Sequence, residues 1–186
     1  RLWPNSKNHQ AKQFIDFGKW TLLGKTLERT KASIYDTPII STNKKYLKQV
    51  KQHLKKKKIK KYKIVLEPAK RNTAPAILST ALIKDIPDNQ PLMFFTADHL
   101  IEKMSIFNKA INKNKSNLNK ENIFVFGIKP KSPTSDYGYF LTKKIRGNIN
   151  KVTKFIEKPK ESKAKQIIKN KGYWNSGMFF LRKDSI

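Results

Sequence analysis

Three acidic side chains lie within three residues after apolar, strand-like runs of the sequence. Glu67 follows YKIVL, Asp98 lies three residues after PLMFF, and Glu157 lies two residues after KVTKF. The whole chain of 186 residues holds only 13 Asp and Glu, so this placement is unlike a random scatter. In open α/β sheets, ligands bind outside the carboxyl ends of the strands. The three carboxylates therefore predict a ligand site at one edge of a sheet.

Asp98 is the acidic residue with the sharpest chemical implication. Burying a carboxylate after a fully apolar strand costs free energy unless a partner compensates its charge. Mg²⁺ is a suitable partner, because it takes one or two carboxylates together with phosphate oxygens. The alternative is an N-cap or loop carboxylate for the following helix. Zinc has little support, since the chain has no Cys and three scattered His, and His99 is interpreted as a structural hydrogen-bonding residue.

The elements that must position these residues alternate along the first two thirds of the chain. The patterns predict strands at 37–42, 62–67, 91–95 and 122–128, and helices at 44–56, 73–84 and 102–114. This alternation predicts an α/β fold with a Rossmann-like, mainly parallel sheet and helices on both faces. The continuous apolar runs at 91–95 and 122–128 predict strands that are buried on both faces.

After residue 129 the pattern changes. The residues predict strands at 137–144, 151–158 and 173–182 and a helix at 161–170. Residues 130–186 are therefore expected to form a smaller mixed β lobe beside the part formed by residues 1–129. The chain begins without Met and stops after a strand-like run, so we expect it to be a segment of a longer protein.

The charge of the chain is extreme. Lys and Arg total 41, giving a net charge of +28, yet only five of these residues are Arg. Proteins that read nucleic-acid sequence favour Arg at bidentate base contacts. A Lys-rich module that binds polyanions remains an alternative. The run at 55–61 fits either a polyanion patch or a solvated helix end.

Composition also bounds the class of protein. Hydrophobic residues make up 38% and aromatic residues 11%, which is enough apolar surface to fold. The apolar runs are too short for a transmembrane helix, so no membrane partner is expected. The first residues do not resemble a signal peptide, and the lack of Cys is compatible with a cytoplasmic location.

Seven sequence blocks occur in an order that is typical of one enzyme family. They are RLWP (1–4), AKQF (11–14), EPAKRNTAPAI (67–77), TADH (96–99), DYGYF (136–140), FIEKP (155–159) and YWNSGMF (173–179). Together they closely resemble the mannose-1-phosphate guanylyltransferases, which are sugar nucleotidyltransferases. The resemblance spans the whole chain. RNTAPAI and WNSGMF are specific to that branch, whereas EKP is shared by many sugar nucleotidyltransferases.

The resemblance implies a reaction and its partners. GMP would pass from GTP to mannose 1-phosphate by in-line attack of the sugar phosphate on the α-phosphorus, giving GDP-mannose and pyrophosphate. It implies Mg²⁺, or else Mn²⁺, as cofactor, a cytoplasmic location and no nucleic-acid or membrane partner. It leaves open a homo-oligomer. The fold implied is that of the nucleotide-diphospho-sugar transferases.

The resemblance also implies roles for residues in the first part, which would bind the nucleotide. Arg1 would clamp the triphosphate, Lys12 would neutralise charge at the transferred phosphate, and Asp98 would hold the metal. Asn72 and Thr73 fall in the block near the nucleotide. We add a hypothesis for Glu67: guanine presents two neighbouring N–H donors, and one carboxylate can accept both.

Residues of the second part would bind the sugar phosphate. The resemblance implies that Glu157 holds a sugar hydroxyl and Lys158 holds the phosphate. Gly138 in the YGY turn and Asn175 in WNSG match positions that line the sugar pocket.

The sequence departs from the family pattern at several places. The Gly-rich phosphate loop and a second metal-holding aspartate are expected to lie outside the segment, which is therefore expected to be weak or inactive by itself. Ala11 and Thr96 stand where Pro is usual, and Asp136 stands where Gly is usual. Another sugar nucleotidyltransferase, a decayed copy, and a parent protein with a C-terminal isomerase domain remain open.

Overall fold

Residues 11–69, 72–147 and 149–186 are described by a computed structural model. The contacts divide the chain into two units. Unit 1 contains the residues up to Asn122 together with Leu181–Ile186, and unit 2 contains Ile123–Phe180. The functional division expected at residue 129 stays a prediction. Within the described ranges, no helix combines the length and the apolar character needed to cross a membrane.

Unit 1 is built from alternating helices and strands. Its elements are α1 (Leu22–Arg29), β1 (Ile39–Asn43), α2 (Leu47–Lys56), β2 (Lys63–Glu67), α3 (Thr73–Ala81), β3 (Pro91–Phe94) and α4 (Met104–Asn114). Strands β1 and β2 are parallel, and their register runs from Ile39↔Lys63 to Asn43↔Glu67. The α/β class and the parallel pairing expected from the sequence are confirmed.

Helix α1 is an element that the periodicity analysis did not predict. The Thr21 side chain caps its start by accepting a hydrogen bond from the Gly24 N–H at 2.9 Å. Leu23 and Leu27 are buried on its inner face, in one cluster with Phe14 and with Val50 and Leu54 of α2. The other helices begin and end within about three residues of the predicted bounds, as expected for helix ends.

Two strands are less covered than the sequence predicted. Every residue of β3 is only partly buried, and β4 (Ile123–Ile128) exposes Ile123 and Ile128. The prediction that both strands are buried on both faces is therefore wrong. A continuous apolar run reports the hydrophobicity of a strand, but it does not report how much of that strand the neighbouring elements cover.

Unit 2 consists of β4, β5 (Tyr139–Arg146), β6 (Ile149–Ile156), α5 (Glu161–Lys169) and most of β7 (Tyr173–Arg182). Strand β5 is antiparallel to both β6 and β7, and β7 also pairs with β4. The fully buried Tyr139 packs with Ala164 and Ile167 of α5. The expected mixed β lobe is therefore confirmed.

Candidate functional site

Lys12 and Asp98 lie close together in unit 1. Lys12 begins a short 3-10 turn, Lys12–Phe14, that the buried ring of Phe14 anchors. The Lys12 Nζ atom is 3.9 Å from Asp98 Oδ2, and the two side chains are 49% and 36% exposed. An ammonium and a carboxylate that are both open to solvent at this distance form a weak ion pair. Each charge therefore remains available to a ligand.

The surroundings of Asp98 exclude the helix-cap alternative. Asp98 lies in a turn after β3, whereas the residue at the N-cap of α4 is Lys103. The cost of burying the carboxylate is also smaller than the sequence suggested, since a third of the side chain is exposed. His99 Nε2 is 3.8 Å from Asp98 Oδ1, too far for a hydrogen bond.

The donor set around Asp98 fits a metal that brings its own ligands. Among the described residues, no group of three or more His, Cys, Asp or Glu side chains could hold a metal ion. Mg²⁺ commonly uses one or two carboxylates and completes its coordination with water and substrate phosphates. The single accessible carboxylate of Asp98 is compatible with that form of binding. It does not supply enough ligands for a preformed cage of protein atoms.

Glu67 is the last residue of β2, and its carboxylate is held in place. The Ser41 hydroxyl donates to Glu67 Oε1 at 2.6 Å, and the Asn43 side-chain amide donates to the Glu67 carbonyl oxygen at 3.2 Å. Both partners lie on β1, where Asn43 is directly beside Glu67 in the parallel register and Ser41 is beside Val65, two residues earlier on β2. Ser41 donates to Oε1, and no group among the described residues donates a hydrogen bond to Glu67 Oε2.

The remaining predicted nucleotide residues lie at the start of α3 or outside the described ranges. Asn72 is the N-cap residue of α3 but makes no side-chain capping bond, and Thr73 is the first residue of the helix. Both side chains are exposed. Arg1 lies outside the described residues.

In unit 2, Glu157 and Lys158 follow the end of β6. Their side chains are 61% and 62% exposed, and Lys158 Nζ is 3.9 Å from Glu157 Oε1. Lys158 has a φ of 41°, in the left-handed region that residues with a side chain rarely adopt. Such a conformation requires support from its surroundings and is often found at functional sites. Here the backbone turns sharply between Glu157 and the buried Pro159.

Gly138 lies against Glu157 and leaves no room for a side chain. A Cβ atom on Gly138 would be 2.8 Å from Glu157 Oε2 and 2.9 Å from a ring carbon of Phe155. The Gly138 carbonyl oxygen also accepts a hydrogen bond from the Asn175 N–H at 2.8 Å. The structure therefore brings together the four residues predicted for the sugar phosphate: Gly138, Glu157, Lys158 and Asn175.

Neighbouring side chains complete this part of unit 2. The Asn175 Oδ1 atom accepts a hydrogen bond from the Gly177 N–H at 3.1 Å. The ring of Tyr137 packs on Trp174 with 5.0 Å between the centroids. Asp136 does not have a positive φ, so its place in the YGY turn does not strain the backbone.

Sequence reasoning missed three side chains that contact the predicted site residues. Ser41 holds Glu67, and Thr26 and Arg29 contact the backbone around Asp98. Burial lowers the pKa of Arg29 and raises the pKa of the neighbouring Tyr35 to about 12. The helical spacing of Leu23, Thr26 and Leu27 is a signal that would have placed Arg29 near the end of a helix.

Charged side chains at the ends of α/β strands are typical of proteins that bind phosphorylated ligands. A family model described as nucleotidyl transferase matches residues 1–186. The chain belongs to the nucleotidyl transferase family.

Individual relatives add detail to this assignment. The chain is 36% identical to mannose-1-phosphate guanylyltransferase 2 of Escherichia coli O157:H7, over 98% of this chain and 40% of that protein. It is 35% identical to the alginate biosynthesis protein AlgA of Pseudomonas fluorescens, over 98% of this chain and 39% of that protein. The chain thus spans about two fifths of the length of these curated relatives.

A solved structure shows the same fold. The crystal structure of mannose-6-phosphate isomerase from Helicobacter pylori superposes with a TM-score of 0.81 and is 31% identical to the chain. The match covers 94% of this chain and 68% of that one.

Proposed function

We propose that the protein transfers GMP from GTP to mannose 1-phosphate, forming GDP-mannose and pyrophosphate. The observation that carries this proposal is the Lys12–Asp98 pair, in which a cation and an accessible carboxylate are 3.9 Å apart. Asp98 follows strand β3 of a nucleotidyl transferase domain. The name of the E. coli relative supports guanine and mannose as the base and the sugar. A cytoplasmic location is part of the proposal.

The chemistry of this reaction matches the residues at hand. The nucleophile is an oxygen of the sugar phosphate, which already carries negative charge at neutral pH, so no general base is required. This oxygen forms a bond to the α-phosphorus of GTP while the bond from that phosphorus to the leaving pyrophosphate breaks. Catalysis of such a displacement consists mainly of positioning and charge stabilisation.

The residues of unit 1 would act on the nucleotide. Asp98 would hold Mg²⁺ (or Mn²⁺), which when bound neutralises charge on the phosphates and polarises them. Lys12 would place its ammonium against the phosphate that is transferred. Asn72 and Thr73 would lie near the nucleotide, and Arg1 would clamp the triphosphate.

The residues of unit 2 would act on the sugar phosphate. The Glu157 carboxylate would accept hydrogen bonds from a sugar hydroxyl, and the Lys158 ammonium would pair with the phosphate. Gly138 and Asn175 would line the sugar pocket. The left-handed φ of Lys158 supports this assignment, because such a backbone conformation is often found at functional sites.

The experiment that tests the proposal is pyrophosphate release by the full-length protein. Mannose 1-phosphate and Mg²⁺ are supplied with each of the four nucleoside triphosphates in turn, and glucose 1-phosphate replaces mannose 1-phosphate as the control. We expect release with GTP and mannose 1-phosphate. Release only with another nucleotide or sugar would replace our choice of substrates. No release with any combination would overturn the proposal, and salt-dependent binding to polyanions would then be measured.

We expect Glu67→Gln to weaken the preference for GTP over ATP by about 10²-fold in kcat/KM, because the amide group of Gln would face the two donors of guanine with a donor of its own. The Ser41 hydroxyl on Oε1 supports this role, since it fixes the carboxylate while both oxygen atoms keep lone pairs for the two N–H groups of guanine. The measurement is kcat/KM for GTP and for ATP in the wild type and the variant.

The control for this change is Glu121→Gln, which removes the same charge from an exposed position. It should leave the GTP preference unchanged. Equal selectivity in Glu67→Gln and the wild type would rule out the role of Glu67 in reading the base.

A further inference from the structure

Helix α1 contacts the backbone on both sides of Asp98. The Nη2 atom of Arg29 donates a hydrogen bond to the carbonyl oxygen of His99 at 2.6 Å. The Thr26 hydroxyl donates to the carbonyl oxygen of Thr96 at 3.5 Å, a long contact. One carbonyl lies two residues before Asp98 and the other lies one residue after it. The helix therefore holds the segment that carries Asp98 firmly through Arg29 on one side and weakly through Thr26 on the other.

Thr26 and Arg29 act together as one group. They are three residues apart on α1, which places them on the same face of the helix. The Arg29 Nη2 atom also donates to the Thr26 hydroxyl oxygen. Both residues are buried, with 7% and 5% of their surface exposed. A side chain that is held in this way has little freedom to move, so it restricts the motion of the carbonyl group to which it donates.

The Asp98 side chain has no comparable support of its own. Among the described residues, nitrogen atoms of Lys12 and His99 lie 3.9 and 3.8 Å from its oxygen atoms, beyond hydrogen-bond distance. Within the described ranges no side chain donates a hydrogen bond to the carboxylate. The position of the carboxylate consequently depends on how firmly its backbone is held.

Stability alone does not account for a buried Arg29. Its guanidinium forms no ion pair with a carboxylate among the described residues, and its Nε and Nη1 atoms have no hydrogen-bond partner there. The ring of Phe95, 5.6 Å from the guanidinium carbon, offers a cation–π contact. A buried cation without a counter-ion still costs free energy, and an apolar side chain of similar size often costs less.

We propose that Arg29 and Thr26 are positioning residues that hold the 96–99 backbone from α1 and thereby fix the Asp98 carboxylate for the metal and the triphosphate. This inference rests on the proposed function as far as the role of Asp98 is concerned. The hold on the backbone does not depend on that function. It can be measured without turnover.

The test uses the full-length protein and compares two variants that lose a hydrogen-bonding group with two conservative variants. Arg29→Met and Thr26→Val remove the hydrogen-bonding groups at similar volume, whereas Arg29→Lys and Thr26→Ser keep a donor. The three measurements are the melting temperature, the hydrogen exchange of the amides of residues 97–100 in the ligand-free protein, and the Mg²⁺ concentration that gives half-maximal rate.

We expect Arg29→Met to melt within about 3 °C of the wild type or above it, because the buried cation contributes no net stability. Thr26→Val keeps that cation and removes one of its acceptors, so it should melt below Arg29→Met. Exchange of the 97–100 amides should be about tenfold faster, reflecting local opening. The Mg²⁺ concentration that gives half-maximal rate should rise about tenfold, as expected when the Asp98 carboxylate is slightly misplaced. Arg29→Lys and Thr26→Ser should recover most of both effects.

Two outcomes would overturn the inference. Unchanged exchange at 97–100 in Arg29→Met would show that α1 does not hold the segment. Faster exchange throughout unit 1 with a large loss of melting temperature would show that Arg29 supports the fold in general. Since exchange is read without substrates, a protein that releases no pyrophosphate from any nucleotide would refute the proposed function separately, while the exchange result would still decide the inference.

Discussion

Asp98→Asn is expected to lower the rate of pyrophosphate release by about 10³-fold, the scale on which removing one group that stabilises transition-state charge acts. The amide has the shape of the carboxylate but no negative charge, so it binds Mg²⁺ poorly. Two highly charged phosphates must then approach each other with less compensation. The measurement is the rate of pyrophosphate release by the full-length protein with GTP, mannose 1-phosphate and increasing Mg²⁺.

The fold should tolerate this substitution. The Asp98 side chain is partly exposed, and the neighbouring nitrogen atoms of Lys12 and His99 are at least 3.8 Å away. Removal of the charge therefore leaves no buried partner without its counter-ion. We expect the melting temperature to change by less than about 2 °C, as for other exposed substitutions.

A matched control is Asp85→Asn. Asp85 lies 3.0 Å from Lys63 and its side chain is 78% exposed, so this variant removes one surface ion pair of small energetic value. Its rate should equal that of the wild type. If Asp98→Asn kept more than a tenth of the wild-type rate with the same Mg²⁺ dependence, Asp98 would not be the metal ligand.

The position of Asp98 was predictable because strand ends are readable from sequence. An apolar run that stops at Phe95 fixes where the carboxyl end of the strand lies, and the first carboxylate beyond it is a candidate by position alone. Glu67 and Glu157 were found in the same way. The role of Asp98 as a helix cap could not be excluded in advance, because sequence patterns do not fix the first residue of a helix; in the structure α4 begins at Met104.

The residues around these carboxylates were not predictable by type or spacing. Lys12 is one of many lysines, and only the resemblance to a family singled it out before its place beside Asp98 was known. Ser41 reaches Glu67 across 26 positions of sequence, and Arg29 reaches His99 across 70. Such contacts depend on the pairing of β1 with β2 and on the packing of α1. No local pattern encodes them.

Gly138→Ala is expected to raise KM for mannose 1-phosphate by about 10²-fold while costing less than about 1 kcal/mol of stability. The added Cβ atom would lie 2.8 Å from Glu157 Oε2 and 2.9 Å from the tip of the Phe155 ring. Both are the far ends of exposed side chains, which can rotate away at little cost. The Glu157 carboxylate would then leave the place where we propose that it accepts the sugar hydroxyl.

Gly127→Ala is the matched control, because it adds the same methyl group elsewhere in unit 2. Its Cβ atom would lie 2.9 Å from the buried Phe140 ring and 3.0 Å from the Cβ atom of Tyr173, which cannot move without its backbone. We expect a loss of about 1–3 kcal/mol in the free energy of unfolding, as for other overpacked sites, with KM unchanged. The two variants should thus show opposite patterns of stability and KM.

The double variant Gly138→Ala with Glu157→Gln tests whether the two residues affect KM for mannose 1-phosphate through the same contact or independently. If Gly138 acts by leaving room for the Glu157 carboxylate, the double variant should have nearly the same KM as either single variant, because residues in contact couple strongly. The measurement is KM for mannose 1-phosphate in the three variants. Effects that multiply would show that Gly138 contributes to sugar binding by another route, such as its carbonyl bond to Asn175.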